Sequence, residues 1–234
     1  MGVTYNNRIV TDGLVLCLDA ASKRSYPGTG TTWTDLKGGN NGTLTNGPTF
    51  DTGNGGSIVF DGTNDFSQSY PFNGDFSSNS YTITCWGKSY TSASRTTYFG
   101  FRSSGNDWAY NHLCFMTWNT SFSPYSMMLF VGNGSTYQNA PVDSSGIFSN
   151  KKVTEWNFIT ITITPTTVYL YLNDDQFYDW SSIISYRASF DRFWVGTRGN
   201  AYFNGNISNV SIYNRALSAD EIRRNYLSTK ERYL

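Results

Sequence analysis

The chain has 234 residues with 17 Lys and Arg balanced by 17 Asp and Glu, scattered rather than clustered, so it offers no basic footprint for nucleic acid. No run of about 20 apolar residues is available for membrane insertion, and MGVTYNNRIVTDG lacks the basic start and apolar core of a secretory leader. Aromatic residues make up 17% of the chain and supply the apolar area for a core, and one large domain is the expectation at this length.

In chain order, residues 1–11 read as a polar arm. LVLCLD (14–19) is the first strand. Residues 20–56 are rich in Gly, Asn and Thr and read as a long surface excursion, pinned to the sheet by Trp33, Leu36, Leu44 and Phe50. Further strands follow at SIVF (57–60), YTITCWGKSY (81–90), TTYFGF (96–101), HLCFMTW (112–118), SMMLFV (126–131), FITITIT (158–164), TVYLYLN (167–173), DRFWVGT (191–197) and NVSIY (209–213). In FITITIT the Ile and Thr positions alternate, the period of two of a half-buried strand. Pro165 then turns the chain into TVYLYLN, where Val168, Leu170 and Leu172 face away from Tyr169 and Tyr171. Many strands without long helices imply a sandwich, jelly roll or barrel.

The end of the chain changes character. Ser218 and Glu221 form a capping box, with Leu217 and Ile222 in the staple positions around it. A short helix follows, with Ile222 and Tyr226 on its apolar stripe and Arg223 and Arg224 outside. It is expected to close one end of the sandwich. Residues 229–234 read as a tail. Cys17, Cys85 and Cys114 each sit in an apolar run without paired spacing, and read as buried free thiols of a protein made in a reducing cytosol.

Several segments resemble a known family. GLVLCLDA, TTWTDLKGGNNGTLTNGPTF, IVFDGTNDF, EWNFITITI with VYLYLND, WVGTRG and FNGNISNVSIYNRALSADEIRRNY resemble, in order and spacing, the laminin-G-like, concanavalin A-like lectin and glucanase domains. The resemblance implies an all-β, two-sheet antiparallel jelly-roll sandwich over residues 12–228 with a short C-terminal helix. Its opening is similar to a subgroup frequent in virion proteins of tailed bacteriophages. That implies a capsid decoration or a head or tail fibre part, synthesised in the host bacterial cytoplasm and docking to other virion proteins, with homo-oligomers expected.

Such folds often hold calcium between the first and last strands, where this chain has Ser208 and Asn209 in place of an acidic pair, so a tight site is not implied. A second oxygen-rich cluster, Asp61, Asn64 and Asp65, has the residue types for calcium, and equally those of a plain turn.

Chemistry finds little support. A glycosidase needs two carboxylates across a cleft, yet the three Glu are Glu155, Glu221 and Glu231, and the adjacent Asp174 and Asp175 suit a hairpin tip. The single His112 has no nucleophile motif near it. The expectation is therefore a non-enzymatic protein. Trp33, Trp108, Tyr110, Trp118, Tyr125, Tyr178 and Trp180 lie in or beside polar segments, and all but Trp33 are the ligand-binding candidates, for a host-surface or environmental glycan or for a protein interface, with the rim of the core as the plain structural alternative.

Overall fold

The computed structural model describes residues 8–75, 78–90, 96–102, 112–120, 123–132, 137–141, 154–181 and 190–234; at 112, 117–141, 177, 178 and 180 it describes backbone course only. In chain order the strands are β1 (Leu14–Asp19), β2 (Thr32–Trp33), β3 (Gly42–Thr45), β4 (Thr49–Asp51), β5 (Ser57–Asp61), β6 (Phe66–Ser69), β7 (Tyr81–Ser89) and β8 (Thr96–Arg102). They continue with β9 (His112–Thr120), β10 (Ser123–Gly132), β11 (Tyr137–Pro141), β12 (Asn157–Ile163), β13 (Thr167–Leu172), β14 (Asp175–Ser181), β15 (Arg192–Val195) and β16 (Asn204–Tyr213). Helix α1 (Ala219–Thr229) closes the series.

The strands form two antiparallel sheets. The first runs β14-β13-β12-β7-β16-β5-β4, with β1 also paired to β16, and the second runs β11-β10-β9-β8-β15-β6-β3-β2. Strand β16 is central to the first sheet: β7 pairs along its length, β5 pairs with its first half and β1 with its second. Side chains show how the layers face each other. Tyr81 of β7 meets Phe101 of β8 at 6.2 Å between ring centres, and Phe60 of β5 meets Phe203 at 6.2 Å. With β7 over β8, strands β12–β14 and β9–β11 extend the sandwich on the same side.

Alternation decides what enters the core. Ile159, Ile161 and Ile163 of β12 and Val168, Leu170 and Leu172 of β13 join Ile83, Phe99, Phe101 and Phe193 between the sheets. The opposite face of the first sheet is also covered. Trp86, Phe158, Tyr171 and Tyr213 point outward there and pack with Val10, Leu217, Ile222, Tyr226 and Tyr233 in a second apolar cluster. Helix α1 thus covers a face of the sheet and not an end of the sandwich, because the aromatic residues that need cover project from the middle strands.

The helix starts as its sequence dictates. Ser218 Oγ accepts from the Glu221 amide at 3.3 Å, and Glu221 Oε2 accepts from the Ser218 amide at 2.9 Å. Glu221 also takes a two-pronged contact from Arg215, at 2.8 and 2.6 Å. Asn225, unremarkable in the sequence, is buried and joins three segments: its Oδ1 accepts from the Val10 amide at 2.8 Å and its Nδ2 donates to Tyr213 Oη at 3.1 Å.

Beyond α1 the chain is not a free tail. A 3-10 turn, Lys230–Arg232, swings Tyr233 onto Trp86, with ring centres 4.2 Å apart and planes at 23°, and against Trp156 at 4.9 Å. The Tyr233 hydroxyl donates to Ser208 Oγ at 2.8 Å, and Arg232 grips Asp19 through both carboxylate oxygens. Trp86 Nε1 donates to Thr229 Oγ1 at 2.8 Å, so burial leaves its N–H satisfied.

The 20–56 excursion is more ordered than its composition suggests. It contributes β2, β3 and β4 and folds around the buried Asp35, whose Oδ1 accepts from the amides of Cys17 and Lys37 and whose Oδ2 accepts from the Asn40 amide. Trp33 and Leu44 are buried and Phe50 packs against the core, whereas Leu36 is exposed and pins nothing. All three cysteines are buried free thiols, and burial pushes Cys17 up to about 11.

Two outcomes follow. Hydrogen bonds from Arg215, working against burial, hold the Glu221 carboxyl down at about 2, so its contribution is present above the ordinary carboxylate range and is lost as pH falls through that range toward 2. Urea unfolding of Glu221→Gln against the parent should show a stability gap at pH 7 that closes at low pH; a gap independent of pH would refute this. Tyr233→Ala should lower stability by about 3 kcal/mol and red-shift the tryptophan emission as Trp86 and Trp156 meet water, whereas an unchanged spectrum would mean the stack does not form.

Candidate functional site

The structure separates the aromatic residues expected to bind ligand. Trp108 and Tyr110 lie outside the described residues. Trp118 stands on β9 opposite Ser126 of β10, next in sequence to Tyr125. Tyr178 and Trp180 stand on β14, the edge strand of the other sheet, opposite Leu170 and Val168. The group is therefore divided between two sheets. Trp33, expected beside a polar loop, is fully buried.

The outer face of the second sheet brings together a different set. In β15, RFWV, Phe193 and Val195 enter the core, so Arg192 and Trp194 project outward. In β8, Phe99 and Phe101 are inward and Gly100 and Arg102 outward; in β6, Ser67 and Ser69 are buried while Phe66 and Gln68 are outward. Register aligns these residues in rows. Arg192 pairs with Arg102, which pairs with His112; Gln68 pairs with Trp194, which pairs with Gly100, which pairs with Cys114.

Contacts along these rows fix the side chains. Trp194 Nε1 donates to Gln68 Oε1 at 2.8 Å, Phe66 leans on the indole at 6.5 Å, and the Arg102 guanidinium lies 5.1 Å from the indole centre. One row away, the Arg192 guanidinium stands 4.5 Å over the ring of Tyr70, a residue 55% exposed. These are cation–π distances. The 196–203 segment borders the patch, with Arg198 Nη1 3.5 Å from Met116 Sδ and Ala201 packed with Cys114 and Met116. The described strands of this sheet contain no Asp or Glu, whereas the first sheet carries Asp19, Asp51, Asp61, Asp175 and Asp179. A signal for this face was present in RFWV, where Arg and Trp alternate with Phe and Val, but aromatics flanked by polar loops drew the sequence reading elsewhere.

The oxygen-rich clusters are committed to their own backbone. Asp61 Oδ1 accepts from the amides of Thr63 and Asn64, and Asp65 Oδ2 accepts from the Asp61 amide at 3.1 Å. The Thr63 amide leads in holding Asp61 below the usual range, while burial pushes Asp65 up toward its neutral form. Near β1 and β16, Asp19 carries Arg232, and Ser208 is engaged by Tyr233 and by Gly56 O. Calcium takes six to eight oxygens, and neither set fits that demand. Among the described residues the buried carboxylates Asp35 and Asp65 each serve backbone amides, Asp65 that of Asp61 and Asp35 those of its own loop and of Cys17 on β1.

A family model described as the concanavalin A-like lectin/glucanases superfamily, laminin G 3 type, matches residues 60–223. No curated protein matches the chain by sequence. Among solved structures, the chain is similar to domain 4 of AbnA, a GH43 extracellular arabinanase from Geobacillus stearothermophilus, solved with arabinotriose. The identity is 16% over 91% of this chain and 98% of that one, with a TM-score of 0.68. It is also similar to the Trypanosoma rangeli sialidase solved with the inhibitor DANA, at 14% identity over 97% of this chain and 34% of that one, with a TM-score of 0.67. The botulinum neurotoxin serotype D binding domain gives 16% identity over 92% of this chain and 51% of that one, with a TM-score of 0.65. These likenesses establish a shared sandwich fold.

Because Asp61 and Asp65 hold loop amides and Asp19 holds Arg232, these two clusters should gain little from calcium. Millimolar calcium is expected to move the thermal midpoint by less than about 1 °C; a rise of several degrees, reversed by chelator, would reveal a site of real affinity.

Proposed function

This chain belongs to the concanavalin A-like lectin/glucanases superfamily, and from that premise we propose that it is a non-catalytic docking and adhesion domain of a tailed-bacteriophage particle. Its place would be a capsid decoration or a head or tail fibre, attached to other virion proteins as a homo-oligomer and holding saccharide on the outer face of the second sheet. The observation that carries the binding part is that face itself. The exposed ring of Tyr70 stands beside Arg192, next to Gln68 and Arg102, which are ordered by the buried Trp194, and an exposed ring beside fixed polar groups is the combination that covers sugar C–H surface while satisfying hydroxyls. Neighbours of the same fold support a saccharide, since one was solved with arabinotriose and another with a sialidase inhibitor. The phage part is supported by the resemblance of the opening segments to virion domains.

A hydrolytic role has less to stand on. The strands behind the proposed face offer no carboxylate, and a glycosidase needs a pair about 5 to 10 Å apart. A free-standing lectin module is the second reading, favoured by the arabinanase domain, which this chain matches over nearly all of that domain's length.

One experiment separates the two. Mass spectrometry of purified particles of the encoding phage should find the chain at structural stoichiometry, and immunogold labelling should place it on the head or fibres. Its absence from particles, together with a positive glycan array, would leave the free lectin. Loss of array signal in Tyr70→Ala is expected if this face is the binding surface.

A further inference from the structure

We propose that Asn54–Gly55 is a self-modifying site: its side-chain amide is protected while the end of the chain is docked, and its conversion to aspartate or isoaspartate when that end lifts leaves the end less firmly held. The reaction needs no ligand and no other protein. Asn-Gly is the pair most open to this chemistry, because a glycine has no Cβ to keep its nitrogen from the preceding side chain. The pair recurs at Asn41, Asn46, Asn54, Asn73, Asn133 and Asn204. Among the described residues, Asn54 is the one of these whose side chain holds the chain's end.

Its amide is used on both sides. Asn54 Nδ2 donates to the carbonyl of Arg232 at 2.8 Å, and Asn54 Oδ1 accepts from Trp156 Nε1 at 3.0 Å. Arg232 and Tyr233 are the residues that hold Asp19, Ser208 and Trp86, so Asn54 clips its own turn and the segment before β12 to the same docked end. The backbone protects the amide as well. Asn54 is left-handed, with φ 54° and ψ 31°. At that ψ the tetrahedral geometry of Cα places the Gly55 nitrogen on the far side from Cβ, turned away from the side-chain carbonyl it would have to attack. The residue is nevertheless exposed, so water reaches it once the clip opens. The turn it holds, Lys230–Arg232, lies at the chain's end, where local opening costs least.

In the opened form the Gly55 nitrogen, its proton taken by hydroxide, attacks Cγ of Asn54. The new N–C bond closes a succinimide ring as the Cγ–Nδ2 bond breaks, and Nδ2 takes a proton from water and leaves as ammonia. Water then adds to either ring carbonyl and reopens the ring, giving aspartate or isoaspartate. In sum, water is consumed and ammonia released, with no oxidation or reduction. The product has no donor for the Arg232 carbonyl and sets a carboxylate oxygen against it, so the end returns to a weaker contact.

The test is peptide mapping of the full chain held in warm, mildly alkaline buffer, following the mass gain of amide-to-acid exchange and the aspartate and isoaspartate peptides at Asn54. Asn46 serves as the internal reference, since it is also left-handed and its Nδ2 donates to Asn64 O, outside the docked end. Asn54 should react at least about tenfold more slowly in the parent than in a free peptide of the same local sequence. Tyr233→Phe, which loses the hydroxyl bond to Ser208 and keeps the ring, should speed Asn54 several-fold, and Tyr233→Ala at least about tenfold. Asn46 should keep its rate in both. Asn54→Asp, the product itself, should lower the thermal midpoint. A peptide-like rate at Asn54 in the parent would overturn the protection. No acceleration in the Tyr233 variants, or equal acceleration at Asn54 and Asn46, would overturn the link to the docked end, the second outcome assigning the reaction to global unfolding. Should Tyr233→Ala fail to fold, Tyr233→Phe decides. An unchanged midpoint in Asn54→Asp would overturn the weakening of the contact.

Discussion

The stack of Tyr233 on Trp86 is the contact on which the arrangement of this molecule depends. A sandwich needs one buried face per sheet, yet the first sheet has apolar side chains on both. Trp86, Phe158 and Tyr213 project away from the main core and would lie in water without α1 and the turn that follows it. Their burial fixes the position of the chain's end, and the chain's end in turn engages Asp19 and Ser208 on β1 and β16. The first sheet is thereby occupied by its own chain on both sides.

The face under the helix is sealed by aromatic packing and by groups such as Asn225 and Thr82 that satisfy backbone donors and acceptors of the covering segment. The outward residues of β6, β8 and β15 instead hold one another by stacking and by the indole hydrogen bond to Gln68, which orders long side chains at a surface. Fold and contact surface can therefore vary separately, since alternation places the residues of one inside and those of the other outside.

Much of this was legible in residue order. The Ile and Thr alternation of β12, the Leu and Tyr alternation of β13 and the capping box of α1 are local signals that the structure reproduces, although β12, expected half-buried, is buried on both faces because its Thr side is covered as well. What escaped was non-local. Strand β6 turns Ser67 and Ser69 inward, so no apolar period announces it; β2, β3 and β4 are too short to show one. Strand β14 begins after a tight turn at Asn173 and carries charges that look like loop residues. Tyr233 lies in a stretch with no pattern of its own, and its role appears only when Trp86, well over a hundred positions earlier, is brought beneath it. The outer face of the second sheet is likewise a product of register: Arg102 and Arg192 become neighbours through the pairing of β8 with β15, which no short window of sequence contains.

The position of β16 bears on how the molecule comes into being. This strand lies between β7 on one side and β5 and β1 on the other, yet it is the last of the sixteen to be made. On a ribosome adding about 5 to 20 residues per second, β7 waits on the order of ten seconds for β16, with both of its edges open until β12 is made and one edge open thereafter. β1 and β5, made earlier still, wait longer. During that interval the nascent polypeptide exposes unpaired strand edges flanked by Trp86 and Phe60, a form suited to capture by chaperones or by a neighbouring nascent copy, and the insertion of one late strand ends that exposure.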